Sequence, residues 1–416
     1  MKDMLGREEV LSVEEARKLL MESASVVPAE CRIDITDSLN RILSRDIVSP
    51  EDLPGFSRST MDGYAVSASD TFGAKEGMPS YLNIAGEVFM GEHPDFEIQK
   101  GGAAKIATGG MLPANADAVV MFEQTSSVNT DMIEVLKPVA PGENIIRSGE
   151  DCKTGDVILR KGGRIRPQDV GALAGIGIAK LWAYEKPKVA IIATGDEVVP
   201  AERPLKPGQV RDINSYSLSC LIEENGGIAL RQGIFKDRFE TLMKAVEDSL
   251  GEADLVAITG GSSVGTKDLT AKVINTAGKP GVLFHGVSVK PGKPMIGAVI
   301  NGKPVFGLPG HPAAIIVTFE LFIKPVLKLL TGETDRLIHK IKRTVKAKLL
   351  KNISSSSGRE DHIRVSLEEI DNELWAVPVL GKSGLITTLV KADGTIVIPL
   401  RKPGMEKGTE VEVELF

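Results

Sequence analysis

Cysteine is scarce. Three residues in 416 (Cys31, Cys152 and Cys220) are too few and too scattered for a disulfide framework, and none has the CxxC spacing of a metal pair. A reducing, cytoplasmic setting fits that usage. Aromatic residues make up only 4% of the chain, which argues against a base-stacking platform for nucleic acid. The formal net charge is −6 and the pI about 5.6, so the basic footprint of a nucleic-acid partner is missing too. No uncharged apolar run reaches the ~18 residues that a membrane span needs. The opening MKDMLGREEVLSVEEARK is charged and helical in pattern, unlike a signal peptide. What is present is ordinary globular material: 42% hydrophobic residues, mean hydropathy of +0.01, and length for about two to four domains.

Residues 12–24 predict a helix, with Ser12 as N-cap, Glu15 three residues on, and Ala16, Leu19 and Leu20 on one face. A second helical piece is expected over Ser38–Ser44. The segment Phe56–Val66 crowds Ser57, Arg58, Ser59, Thr60 and Asp62 around the Asp62-Gly63 turn. Between Tyr81 and Val139, strand patterns punctuated by Gly, Pro and Asn predict a small all-β domain. Thr108-Gly109-Gly110 and Glu123 either line a rim of that domain or simply close its strands. A strand and a helix follow within 153–177, with Pro167 at the first turn and Gly175 and Gly177 at the end. This return stretch is expected to pack back on the N-terminal helices, which makes the β domain an insertion.

From Lys186 the texture changes. Strand patterns at Val189–Ala193, Ile228–Phe235 and Asp254–Ile258 alternate with a helix that has Asn214 as N-cap and Gly226 or Gly227 past its end, and with another from Arg238. A hairpin across Asn301-Gly302 and a long apolar helix with Pro312 in its first turn complete the set. Such alternation predicts a doubly wound α/β domain. Its anchor is Ala253–Asp268, where a strand breaks at Thr259 into Gly260-Gly261-Ser262-Ser263-Val264-Gly265 and a helical pattern starts near Asp268. Backbone N–H groups and a helix dipole aimed at one point suit an anion. A tight βα turn with Asp268 as N-cap is the plain alternative. The loop is neither GxGxxG nor GxxxxGK[ST].

Ligands of such sheets bind beyond the carboxyl ends of the strands. Thr194-Gly195-Asp196-Glu197, Asp237, Gly260–Asp268 and Leu308–Pro312 all arrive there, and Lys290 and Lys293 sit in a proline-stiffened loop just before the hairpin. Glycine-rich N–H groups and two lysines suit phosphate or another oxyanion. Asp196, Glu197, Asp237 and Asp268 suit a hard divalent cation such as Mg²⁺. Beyond residue 338, five strand patterns separated by turns predict a small β barrel or sandwich, whose loops carry Gly358-Arg359-Glu360-Asp361 and Gly381-Lys382-Ser383-Gly384.

Taken together, STMDGYA (59–65), ATGG (107–110), TGDE (194–197), GGSSVGTKD (260–268), KPGKP (290–294) and LPGHP (308–312) resemble the MoeA/gephyrin E-domain family, the molybdopterin molybdenumtransferases. The motifs stand in the family's order across essentially the whole chain. The resemblance implies a multidomain α/β plus β architecture. Its parts are a discontinuous N-terminal linker domain (1–49 and 147–185), an inserted β-rich domain (50–146), a doubly wound, MogA-like α/β molybdopterin-binding domain (186–335) and a C-terminal small β barrel (336–416). It also implies an elongated homodimer in which the inserted domain of one subunit faces the α/β domain of the other, and it leaves room for contact with molybdopterin adenylyltransferase.

Chemically, the resemblance implies the last step of molybdenum cofactor synthesis: adenylylated molybdopterin is bound, molybdate is inserted at the dithiolene, and AMP is released with Mg²⁺ dependence. By position, Asp62, Thr108, Asp151, Glu197, Asp237 and Asp268 match the family's functionally important polar residues, with Glu197, Asp237 and Asp268 toward the metal. Thr194, Gly195, Asp196, Gly260, Gly261, Ser262, Ser263, Gly265, Pro309, Gly310, His311 and Pro312 fall in the substrate-binding loops, and Lys290, Lys293, Arg359 and Ser383 at the positions associated with molybdate. Two residues depart from the pattern: His311 stands where asparagine is common, and Ser262 where valine is. Rival readings are a molybdopterin adenylyltransferase, a gephyrin-like scaffold and a tungstate-inserting homologue. The first is a single α/β domain, so the two β domains count against it.

Overall fold

The computed structural model describes residues 10–25, 27–260, 264–334 and 343–416, and of 264–268 the helical backbone alone. Ser12 opens the first helix, α1 (Val13–Ser23), with a reciprocal cap: its hydroxyl accepts the Glu15 N–H at 3.3 Å, and the Glu15 carboxylate accepts the Ser12 N–H at 2.9 Å. The buried face of α1 (Val13, Ala16, Leu20) enters the core of the α/β sheet and not that of the return segment. Residues 30–48 receive the return segment instead. Glu30–Asp34 pairs antiparallel with Lys180–Tyr184, and Leu43, Ile47, Ile165, Leu173 and Leu181 share one core with α2 (Pro167–Gly175). The helix expected over Ser38–Ser44 does not form. Asn40 takes a φ of 63°, and the N–H groups of Asn40 and Leu43 donate to the carbonyls of Ile165 and Gly163, so pairing across the chain uses the donors a helix would need.

The inserted segment builds a mixed sheet from β1 (Gly63–Val66), β2 (Ser80–Val88), β3 (Gly102–Ile106), β4 (Ala118–Met121), β5 (Thr125–Asn129) and β6 (Met132–Val135), in the order β4-β1-β3-β2-β6-β5. Strand β5 escapes a reading of the sequence because it is a polar edge strand, exposed at four of its five residues.

The central sheet runs β8-β7-β9-β13-β12-β10, from β7 (Lys188–Thr194), β8 (Ile228–Phe235), β9 (Leu255–Gly260), β10 (Pro280–His285), β12 (Ile296–Ile300) and β13 (Lys303–Leu308). Strands β8, β7, β9 and β13 are parallel, and β12 returns antiparallel through the Asn301-Gly302 turn. Alternation along β7 sends Val189 and Ile191 to the core shared with α3 (Asn214–Glu224), while Ala190 and Ile192 meet α4 (Phe239–Glu252) and α5 (Val264–Ala277). Helix α5 starts at Val264, ahead of the expected start near Asp268, which places Asp268 inside the helix and not at its N-cap. The long apolar helix is α6 (Pro312–Thr318), a π-helical turn over Phe319–Ile323, and α7 (Lys324–Thr331). Pro325 has no N–H for the carbonyl four residues back, and the widened turn just before it absorbs that loss.

At the C-terminal end, β14 (Thr344–Leu349), β15 (Glu360–Ile370), β16 (Glu373–Pro378), β17 (Gly394–Ile398) and β18 (Glu410–Leu415) close as β15-β16-β14-β18-β17-β15, a five-stranded barrel filled by Val365, Ala376, Ile396 and Val413. A short strand, β11 (Val289–Lys290), leaves the α/β unit and pairs parallel with the start of β15. Among the described residues, no helix is long and apolar enough to cross a membrane.

Candidate functional site

Beyond the carboxyl ends of β7, β9 and β13 lies a cavity of about 280 Å³. Of the candidate residues, Thr194, Glu197, Gly260, Gly310, His311 and Pro312 line it. Gly260 explains how two strand ends converge so closely: at its φ of 133° a Cβ would sit 1.9 Å from the Thr194 carbonyl oxygen. Gly195 and Asp196 flank the cavity in sequence, and Pro309 is outside its lining. Gly261, Ser262 and Ser263 fall outside the described residues, and Gly265 lies on the described backbone of α5.

Several lining residues were not legible beforehand: Val198, Val210, Arg211, Asp212, Asn214 and, from the barrel, Gly384. The stretch 198–211 reads as a Pro/Lys/Gly loop, yet Val198–Val199 pairs with Val210–Arg211 and folds it onto the cavity. Asn214 was expected to cap α3. The cap comes instead from the Asp212 carboxylate, which accepts the Ser215 N–H at 3.0 Å. The Asn214 amide is thereby free to donate to Thr259 Oγ1 and to the Gly310 carbonyl, both at 3.0 Å, tying the start of α3 to two strand ends. The Asp-to-Ser spacing ahead of α3 was the one available signal.

Beside the cavity, next to the lining residue Glu197, stand two acids outside the lining, Asp196 and Asp237. The Thr194 hydroxyl donates to Asp237 Oδ1 at 2.6 Å. Burial pushes the Asp237 carboxyl above its ordinary 3.8; the Thr194 bond opposes that, the charges of Asp196 and Glu197 add to it, and Lys236 opposes it. Lys236 Nζ stands 3.5 Å from Asp196 Oδ1. Three carboxylates therefore share one ammonium, a charge excess that a hard divalent cation relieves. Among the described residues no three acidic, histidine or cysteine side chains make a ready cation cage. The Asp268 carboxylate, the expected third oxygen donor, lies outside what is described.

Lys290 and Arg359 are brought together, but outside the cavity lining. Arg359 Nε donates to Asp361 Oδ1 at 2.8 Å, and Lys290 Nζ lies 3.6 Å from Asp361 Oδ2. Ser383 reaches the cavity through His311: Ser383 Oγ and His311 Nδ1 form a 3.0 Å hydrogen bond, and the Ala313 N–H donates to the Ser383 carbonyl at 3.2 Å. The 290–294 loop packs on α6, since a Cβ on Gly292 would lie 2.8 Å from Thr318 Cγ2; within it the Lys293 carbonyl accepts the Val287 N–H at 2.9 Å.

Asp62, Thr108 and Asp151 are elsewhere. Thr108 donates its N–H (2.7 Å) and hydroxyl (2.9 Å) to Asp62 Oδ1. Those bonds, the backbone one foremost, hold the Asp62 carboxyl below its usual value. Phe122 N–H donates to the Asp62 carbonyl at 3.3 Å, so Glu123 follows on the same rim. The Asp151 N–H donates to the Leu53 carbonyl at 3.0 Å, and none of the three lines the cavity.

Three family models match in order: "MoeA N-terminal region (domain I and II)" over residues 11–177, "Probable molybdopterin binding domain" over 190–329 and "MoeA C-terminal region (domain IV)" over 346–416. A Methanocaldococcus jannaschii protein named for molybdopterin biosynthesis is 40% identical over 419 residues, covering 98% of both chains. A Staphylococcus aureus molybdopterin molybdenumtransferase is 33% identical over 409 residues, covering 97% of this chain and 95% of its own. The crystal structure of a molybdopterin biosynthesis MoeA protein of Pyrococcus horikoshii superposes with a TM-score of 0.84 at 39% identity, covering 98% of this chain and 99% of that one. With likeness running the full length in one order, the chain belongs to the MoeA family, the transferases of molybdenum cofactor biosynthesis.

Proposed function

We propose that the chain is a molybdopterin molybdenumtransferase that binds adenylylated molybdopterin beyond the carboxyl edge of the α/β sheet, inserts molybdate at its dithiolene and releases AMP. The observation that carries this reading is the juxtaposition around α6 of acidic groups at and beside the cavity (Glu197, Asp237) and a cationic pair (Lys290, Arg359), with the His311–Ser383 bond tying the barrel to the cavity end of that helix. The cavity, about 280 Å³, is at the small end of the roughly 300–1,000 Å³ of ligand sites, and suits part of such a substrate with the remainder in open groove.

In this reading Arg211 and the backbone N–H groups after β9 meet phosphate oxygens, and His311 with Asn214 holds the loop against the substrate. Glu197, Asp237 and Asp268 would hold Mg²⁺, which when bound neutralises phosphoryl charge as the anhydride is hydrolysed and AMP leaves. Lys290, Lys293, Arg359 and Ser383 serve molybdate. Asp62 and Thr108 of the inserted domain, with Asp151 just past its end, act on the second chain of a homodimer, each inserted domain facing the partner's α/β domain. The division into 1–49 with 147–185, 50–146, 186–335 and 336–416 belongs to the same proposal, as do the cytoplasm as its compartment and contact with molybdopterin adenylyltransferase as the source of substrate. Separate packed cores in the inserted segment, in the barrel and between residues 33–47 and the return segment support the division, while α1 packs into the α/β core.

The test is direct. Purified protein is incubated with adenylylated molybdopterin, with and without Mg²⁺, and with molybdate or tungstate, and nucleotide release is followed. AMP release that needs both the divalent cation and molybdate is expected. Absence of release with any oxyanion defeats the transferase reading, and faster turnover of tungstate reassigns the metal.

A further inference from the structure

Buried charge at the junction between the α/β unit and the barrel is arranged unusually. Asp361 is fully buried, while the two cations that reach it are not: the Lys290 side chain is 55% exposed and that of Arg359 34%. The cations come from different parts of the fold. Lys290 belongs to β11 and Arg359 precedes β15, and the parallel register sets Lys290 opposite Asp361, braced by the Glu360 N–H donating to the Ser288 carbonyl at 2.9 Å. Among the described residues, Asp361 is the partner of both.

We propose that Asp361 is a positioning residue for the oxyanion site, one buried carboxylate that holds Lys290 and Arg359 side by side as a two-cation clamp. Arg359 gives Asp361 its Nε, which leaves both terminal guanidinium nitrogens for a ligand. Asp361 Oδ2 accepts no hydrogen bond among the described residues and faces Lys290 across 3.6 Å, an ionic contact that fixes the ammonium without using up its donors. Two cations on one anion leave a unit of positive charge at the junction. Strand alternation puts Glu360 and His362, themselves 3.6 Å apart, on the opposite face of β15 from Asp361. A tetrahedral dianion with four acceptor oxygens suits this pair, whose geometry is set before the ligand arrives. The clamp exists only while β11 is paired with β15, so the site is built jointly by the two parts of the fold. The proposal rests on the transferase reading for the identity of the oxyanion as molybdate, and on the geometry alone for its charge and shape.

The experiment compares Asp361→Asn with Asp361→Glu in the transferase assay, with equilibrium dialysis of molybdate against the same proteins. The expected result for Asp361→Asn is a molybdate KM raised about tenfold with kcat within about twofold, as the amide frees both cations from their common anchor. Asp361→Glu is expected to recover most of the loss, and nucleotide affinity to stay level. A purely structural bridge would instead lower kcat, nucleotide affinity and melting temperature together, and that pattern overturns the proposal. Should Asp361→Asn fail to fold, Asp361→Ser takes its place, alone and in the Lys290→Gln background. A smaller Asp361→Ser effect in the Lys290→Gln background supports action through Lys290; strict additivity in molybdate KM overturns it. If the unaltered protein turns over no molybdate, the transferase reading falls by itself. Dialysis then decides the clamp, which is overturned when Asp361→Asn holds molybdate as tightly as the unaltered protein.

Discussion

Two charged regions flank helix α6, and they solve opposite problems. At its N-terminus the cavity edge gathers Asp196, Glu197 and Asp237 around one lysine, so burial and like charge raise the Asp237 carboxyl. Further along, where the 290–294 loop packs on Thr318, two cations share the single carboxylate of Asp361. One region is short of positive charge and the other of negative. The contrast teaches how one polypeptide keeps an excess of negative charge and an excess of positive charge at the two ends of one short helix without their neutralising each other. The acidic set is rooted in strand ends of the α/β sheet and the basic set in the seam with the barrel, and the His311–Ser383 bond is a further tie between those two parts of the fold.

The contrast is most easily broken at the acidic edge. Glu197→Ala, and likewise Asp268→Ala, should reduce molybdate-dependent AMP release by about a hundredfold or more while the circular dichroism melt stays in place. Full turnover in either variant would remove the cation from this edge. On the basic side, Lys290→Ala should raise the molybdate requirement by about tenfold and move nucleotide affinity much less, as read by titrating each ligand separately. Equal loss of both would mean that the two regions are one site. The joint between them is worth less. His311→Ala removes one hydrogen bond, roughly 1 kcal/mol, so kcat/KM for molybdate should fall about fivefold, and Ser383→Ala in the same background should add little.

The smallest expected effect concerns pH. Because the folded carboxyl of Asp237 is raised above 3.8, its folding contribution is most favourable below that value and is lost as pH rises through the folded value. At neutral pH without divalent cation, Asp237→Asn should therefore raise the melting temperature, by about 2 °C, since Asn still accepts the Thr194 hydroxyl. The gain should vanish below pH 3.8 and reverse in sign when Mg²⁺ is added. A variant that melts lower than the parent at neutral pH without metal would contradict the charge-excess account.

Periodicity and turn chemistry were enough to place most elements, because their causes are local. The Ser12/Glu15 cap, the Asn301-Gly302 hairpin, the Ile228–Phe235 strand and the alternation of strand and helix from Lys188 each follow from a few neighbouring residues. Local rules misled where long-range partners outbid them. Asn40 and Leu43 gave their N–H groups to distant carbonyls and no helix formed, and Asn214 left its cap to Asp212 in order to brace Thr259 and Gly310.

From the sequence by itself came the fold class, the acidic and glycine-rich strand ends, the family likeness and the pairing of TGDE with LPGHP at one sheet edge, all consequences of a βα pattern that sends every parallel strand's carboxyl end the same way. Tertiary structure alone decided that Arg211 and Asn214 line the cavity, that Lys290 stands beside Arg359 on Asp361, and that Ser383 meets His311. Arg211 and Asn214 reach the cavity through strand pairing and hydrogen bonds inside the α/β unit, whereas the other two contacts cross from that unit to the barrel. Their geometry depends on how the barrel docks on the sheet, which no stretch of neighbouring residues encodes.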